Sequence, residues 1–218
     1  MSKKHLYFLP GFCASHQIFE LLEFPEDQFE IHHLPWLIPD IPKEAMSVYA
    51  GRYKSLIKSE HPTLIGVSFG GMVVQEIAKH VDFEKVVIIS SIKLRKELPL
   101  FLKILYHTKS YMLFPVAMVS QLEKYSMLMI GKTAKKRLKL YKKYMFIRDQ
   151  KYIRWGVSQV FEWKQNVAHK NIIHIHGTND HLFPIKNIKG CIPIKGGSHI
   201  MIITKLKAIN RILLEELG

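Results

Sequence analysis

Three short segments carry side chains that could do chemistry together. Gly66-Val67-Ser68-Phe69-Gly70-Gly71 sets a serine between glycines. Gly177-Thr178-Asn179-Asp180 offers a carboxylate, and Gly196-Gly197-Ser198-His199 an imidazole. A serine hydroxyl is a weak nucleophile. It needs a base within hydrogen-bond reach, and the base needs a group to orient it. These segments supply nucleophile, acid and base in the chain order Ser, Asp, His, which differs from the chymotrypsin and subtilisin orders. The chemistry they point to is acyl transfer through a serine.

Such a set works only if regular elements hold it. Leu6-Tyr7-Phe8-Leu9 is a short apolar run ended by Pro10-Gly11, the pattern of a buried strand. Strands are expected next over Phe29–Leu34, Leu64–Val67, Lys85–Ile89, Asn171–Ile175 and Cys191–Ile194. Helices are expected over Glu44–Ser59, with Ala45, Val48, Tyr49, Tyr53, Leu56 and Ile57 on the apolar side, then over Met72–Lys79 and Ile200–Leu217. Near-continuous apolar strands alternating with helices give an α/β chain, a mostly parallel sheet of about six strands covered on both faces. Ser68 then falls where a strand hands over to a helix. Its flanking Gly66, Gly70 and Gly71 allow the tight turn and close packing such a junction needs.

At these residues the chain resembles the α/β-hydrolase superfamily, in its serine esterase-like branch. The resemblance covers most of the chain outside residues 92–165. It implies that Ser68 attacks a carbonyl, that His199 is the base, and that Asp180 holds the imidazole's tautomer. It also implies an oxyanion hole made by the backbone N–H of Phe69 and by a donor in the loop after the first strand, where Phe12 is the expected residue. Many members have His-Gly where this chain has Pro10-Gly11. The chain starts almost at the oxyanion strand, so a small form lacking the first strands of larger members is expected. A serine at the elbow argues against the branches that use aspartate, the dehalogenases and epoxide hydrolases.

Plainer readings exist for each residue. Ser68 could cap a helix, Asp180 could be a turn residue, and His199 is one of 12 histidines. Their joint occurrence in matching contexts outweighs these. His174, His176, Asp180 and His181 invite a metal-site reading. A buried, hydrogen-bonded pair of His174 and His176 on one strand face accounts for them better. No cofactor and no metal are expected. Cys13, beside the oxyanion loop, reads as a packing residue.

The division expected is a hydrolase core over 1–91 and 166–218 with a helical cap inserted at 92–165. The insertion is peculiar in charge. The chain carries 32 Lys+Arg against 18 Asp+Glu, net +14, yet residues 92–165 alone hold 17 basic and 4 acidic residues. They also hold 5 of the 9 methionines and 12 of the 24 aromatic residues, a composition suited to an apolar pocket. A helix is expected over Thr133–Arg148, with Lys135, Lys136, Arg137, Lys139, Lys142 and Lys143 around an apolar stripe. That surface could meet an acidic acyl carrier or coenzyme A, or an anionic membrane. Nucleic acid ranks last, since no recognition motif accompanies the charge. A solvated face is the plainest account.

At 218 residues the length suits one domain. The apolar run near the N-terminus is shorter than the roughly 7–15 residues of a signal peptide core, and no uncharged stretch in the middle reaches the roughly 20 residues of a membrane span. Cys13 and Cys191 lie far apart, with no disulfide framework, so a cytoplasmic setting is the expectation. The function expected is cleavage of a small-molecule carboxylic ester, or a thioester, through an acyl-enzyme. Hydrolysis of carrier- or coenzyme A-linked esters is the near alternative, and a non-catalytic binding protein the distant one.

Overall fold

The computed structural model describes residues 3–109, 143–144 and 148–218. Six strands form one sheet: β1 (Lys4–Leu9), β2 (Phe29–His33), β3 (Thr63–Val67), β4 (Lys85–Ile89), β5 (Ile172–Gly177) and β6 (Ile192–Ile194). The spatial order is β2-β1-β3-β4-β5-β6, and every neighbouring pair is parallel. A parallel sheet needs cover on both faces, and the period-2 alternation of the central strands supplies two cores. Tyr7, Leu9, Leu64, Val86 and Ile88 face one core; Leu6, Phe8, Ile65, Val87 and Ile89 face the other.

The first core is closed by α1 (Met46–Gly51), α2 (Phe69–Ile77), α3 (Leu100–His107) and α4 (Gln150–Glu162). The second is closed by α5 (Met201–Thr204) and α6 (Leu206–Leu217) together with the 3-10 turn at His16–Phe19. Helix α4 starts at Asp149, whose carboxylate accepts the Tyr152 N–H at 2.8 Å, a cap worth about 1 kcal/mol. It lies at the end of the insertion expected over 92–165 but packs into the first core: Trp155 is buried and donates its indole N–H to the Glu44 carbonyl at 2.8 Å.

Two helices depart from the sequence expectation. The expected helix over Glu44–Ser59 is a short α1 followed by a 3-10 turn at Arg52–Ser55. Its buried stripe is Met46, Tyr49, Ala50 and Tyr53, while Ala45 and Val48 face solvent. The two tyrosines set this rotation, since their hydroxyls donate to the carbonyls of Leu37 and Pro35. The closing helix breaks at Lys205 (φ −127°, ψ 30°). The break follows Ile202-Ile203-Thr204, a β-branched run that is a poor helix former. The expected Thr133–Arg148 helix lies outside the described residues apart from Lys143, Tyr144 and Arg148. Among the described residues, no helix is long and apolar enough to cross a membrane.

Candidate active site

The expected residues meet at the carboxyl ends of the strands, where open parallel sheets present their sites. Ser68 follows β3 with φ 54° and ψ −119°, a left-handed turn that a non-glycine residue adopts only under constraint. Its neighbours impose that constraint. Ser68 N–H donates to the Ile89 carbonyl at 2.9 Å, and its own carbonyl accepts from Ser91 Oγ at 2.7 Å. The flanking glycines allow it. A Cβ at Gly66 would lie 2.4 Å from the Gly70 carbonyl oxygen, one at Gly70 would lie 2.2 Å from the Pro10 carbonyl oxygen, and one at Gly71 would strike Ser91 at 2.6 Å.

Ser68 Oγ stands 2.8 Å from His199 Nε2. The other ring nitrogen, Nδ1, stands 2.9 Å from Asp180 Oδ2. Asp180 is only 3% exposed. Its second oxygen accepts the backbone N–H groups of Leu182 and Phe183 at 2.9 and 2.8 Å. Burial by itself raises the Asp180 carboxyl, but the facing His199, its hydrogen bond and the Phe183 N–H outweigh that and hold it below its ordinary value. The ionised carboxylate fixes the proton of His199 on Nδ1 and leaves Nε2 free to accept from the serine.

Behind Asp180 stands the histidine pair of β5. His176 Nε2 lies 2.8 Å from the Phe183 carbonyl, so that nitrogen carries the proton and donates. His176 Nδ1 then accepts from His174 Nε2 at 3.1 Å. Burial, with the neighbouring His176, pushes His174 down to about 2, and burial lowers His176 as well. Both are neutral near pH 7, as the buried-pair reading expects. His181 is not part of the pair and lies on the surface.

The loop after β1 lies over Ser68: a Cβ at Gly11 would stand 3.7 Å from the Ser68 Cβ. Among the described residues, neither the Phe12 nor the Phe69 backbone N–H has an acceptor. Both are therefore free to donate. Without the histidine of the usual loop, bracing comes from elsewhere. The Gly11 carbonyl accepts the Ala14 N–H at 2.9 Å and the Trp36 indole N–H at 3.2 Å. Trp36 also stacks on Phe69 at 5.5 Å, and Phe12 stacks on Tyr152 at 5.4 Å. Sequence reasoning missed Trp36, Tyr152 and Ser91. Only Trp36 had a local signal, a tryptophan bracketed by Pro35 and Pro39 in the loop after β2.

Cys13 is buried beside this loop, as a packing residue should be. Of the six basic residues expected around the 133–148 helix, only Lys143 is described. Its ammonium pairs with the carboxylate of Glu20, which Tyr144 also contacts at 3.1 Å. Lys135, Lys136, Arg137, Lys139 and Lys142 lie outside the described residues.

Sheet order, elbow and helix placement define an α/β-hydrolase fold. Solved structures agree. A bromoperoxidase from Bacillus anthracis superposes with a TM-score of 0.68 at 16% identity, over 99% of this chain and 92% of that one. An esterase from Exiguobacterium antarcticum gives 0.68 at 13%, over 98% and 91%. A thermophilic esterase from Thermogutta terrifontis gives 0.67 at 12%, over 99% and 90%. At such identities the likeness is one of fold. No family model matches the sequence, and neither does any curated protein sequence.

Proposed function

We propose that this protein is a serine hydrolase that cleaves a carboxylic ester through an acyl-enzyme. The observation that carries the proposal is the unbroken line Ser68 Oγ–His199 Nε2–His199 Nδ1–Asp180 Oδ2, with steps of 2.8 and 2.9 Å. In this reading His199 takes the hydroxyl proton as Ser68 Oγ bonds to the ester carbonyl carbon. The carbonyl oxygen, now an anion, accepts from the amides of Phe12 and Phe69, each worth about 3 kcal/mol in the transition state. His199 gives its proton to the leaving alcohol, and the acyl group stays on Ser68. Water then attacks the acyl carbonyl carbon as His199 takes its proton; the bond to Ser68 Oγ breaks, His199 returns the proton to Oγ, and the acid leaves. Asp180 remains ionised throughout.

Of the aromatic rings beside the two amides, Phe69 and Tyr152 are buried, while the partly exposed Phe12 and Trp36 favour an apolar group on the substrate. The names of the esterase neighbours are consistent with this chemistry without extending it to this chain.

The test is hydrolysis of p-nitrophenyl esters from acetyl to dodecanoyl, run with fluorophosphonate labelling, on wild type and Ser68→Ala. Turnover and labelling that both disappear in the variant support the reading. Labelling at Ser68 without turnover moves the substrate to carrier- or coenzyme A-linked esters. Absence of both in the wild type overturns the proposal in favour of a binding protein on this fold.

A further inference from the structure

The sheet edge distant from β6 brings together three side chains that no local motif in the sequence links. In the parallel pairing of β1 with β2, His5 is the register partner of Glu30, and Tyr7 that of His32. Side chains two apart on a strand share a face. His5, Glu30 and His32 therefore converge on one side of the sheet. His5 Nδ1 lies 3.0 Å from His32 Nε2. The Glu30 carboxylate lies 3.8 Å from His5 Nδ1 and 3.5 Å from His32 Nε2.

We propose that His5, Glu30 and His32 bind a divalent transition-metal ion of the Zn2+ class. Donors at ordinary Zn–N and Zn–O lengths around a tetrahedral ion stand roughly 3.3–3.6 Å apart. The imidazole nitrogens lie slightly inside that range, and the carboxylate turns Oε2 towards His5 and Oε1 towards His32; one oxygen and both nitrogens lie within 4.8 Å of one another, so rotation of the Glu30 carboxylate brings a single oxygen to the spacing an ion needs. Two imidazoles and one carboxylate form a donor set that suits zinc, and water completes the fourth position. The side chains are about a third to half exposed (His5 32%, His32 29%, Glu30 51%), which leaves a path for the ion and room for that water. The His32 ring is already fixed in plane, stacked on Tyr7 at 4.4 Å and 14°. Among the described residues this is the one group of three or more His, Cys, Asp and Glu side chains with converging donors. All 12 histidines and both cysteines belong to the described residues.

Metal binding needs both facing nitrogens bare. The proton the two rings now share moves to an outward ring nitrogen, and no redox step is involved. An ion held there ties β2, the strand at the sheet edge, to β1. Because the unfolded chain lacks this arrangement, binding stabilises the fold by mass action. The site is separate from Ser68, so its role is independent of the hydrolase reading.

The experiment is calorimetric titration of chelator-treated full-length protein with Zn2+, paired with thermal unfolding with and without the ion. Wild type is expected to bind one equivalent and to unfold at higher temperature with Zn2+. His5→Gln, Glu30→Gln and His32→Gln should each weaken binding at least about 10-fold, the lower end of what even an outer partner costs. His33→Gln, whose ring lies against Phe8 and His16 instead, should bind as wild type does. Unfolding of each variant without metal shows that the fold is intact before the comparison is made. Should the double variant His5→Gln/His32→Gln keep the wild-type equivalent, or the wild type show no saturable one-to-one component, the site is refuted and the two histidines are simply hydrogen-bonded to each other.

Discussion

Gly156 of α4 lies directly beneath the ring of Phe12. A Cβ at Gly156 would come within 2.3 Å of the Phe12 ring edge. A residue of α4 thus packs against the side chain of the residue whose free amide lies in the loop over Ser68. The Phe12 ring has little room to yield, since it stacks on Tyr152 and meets Phe69 edge-on at 5.5 Å.

Gly156→Ala should accordingly destabilise the fold by about 1–3 kcal/mol through overpacking, although alanine is the better helix former by about 1 kcal/mol. It should also lower kcat by roughly 10-fold or more, by shifting the Phe12 amide, the proposed oxyanion donor. Urea unfolding and ester hydrolysis measure the two effects. An unchanged kcat would show that the Phe12 amide does not contact the reacting oxygen.

Asp180→Asn is expected to keep the fold and lose the reaction. Its retained oxygen can still accept from Leu182 and Phe183, but the new amide cannot accept from His199 Nδ1. The imidazole turns to the tautomer with its proton on Nε2, where it cannot act as a base towards Ser68. The expected fall in kcat is about 10³–10⁴-fold, with much smaller change in KM. Steady-state kinetics on the best p-nitrophenyl ester tests this.

Gly70→Ala should fail structurally. Its Cβ would sit 2.2 Å from the Pro10 carbonyl oxygen and 2.5 Å from that of Leu9. These are backbone atoms of β1 and its loop, so no side chain can rotate away. A loss of about 3 kcal/mol or more is expected, visible as a large drop in thermal midpoint. A wild-type midpoint would mean that the elbow and the β1 loop are further apart than described.

Stability should fall with acidification in two windows. His174, lowered by burial to about 2, and His176, also lowered by burial, are neutral in the folded chain but take up protons in the unfolded chain below about 6.5. The unfolded state then binds more protons, so stability falls as pH drops below that value, by up to about 1.4 kcal/mol per pH unit for each histidine. For Asp180, held below its ordinary 3.8, the stabilisation is present above that value and is lost as pH falls through its lower folded value. Urea unfolding at pH 7.5, 6 and 5 reads the first window. His174→Leu should flatten the slope, and a wild type equally stable at all three values would contradict this account.

The elbow was legible because its requirements are local. The end of a buried strand, a left-handed serine and glycines two residues to either side of it occupy six consecutive residues, Gly66 to Gly71, and each type has one physical reason to be there. The same holds for the apolar strands, whose alternation assigns Tyr7 and Leu9 to one core and Leu6 and Phe8 to the other. Asp180 and His199 were readable as partners through their turn contexts, though nothing in those contexts carries a distance.

Tertiary structure alone decided the rest. Val48 has the right spacing for a buried stripe, but the hydroxyls of Tyr49 and Tyr53 reach carbonyls of a distant loop and rotate the helix away from it. Gly156 meets Phe12 across 144 positions of chain, and His5 meets Glu30 only through strand register. Such contacts depend on how elements dock, which side-chain types and local periodicity leave open. Sequence by itself determined which groups could react and which elements carry them; docking determined which groups face one another, because hydrogen bonds and close packing act over a few ångströms whatever the separation along the chain.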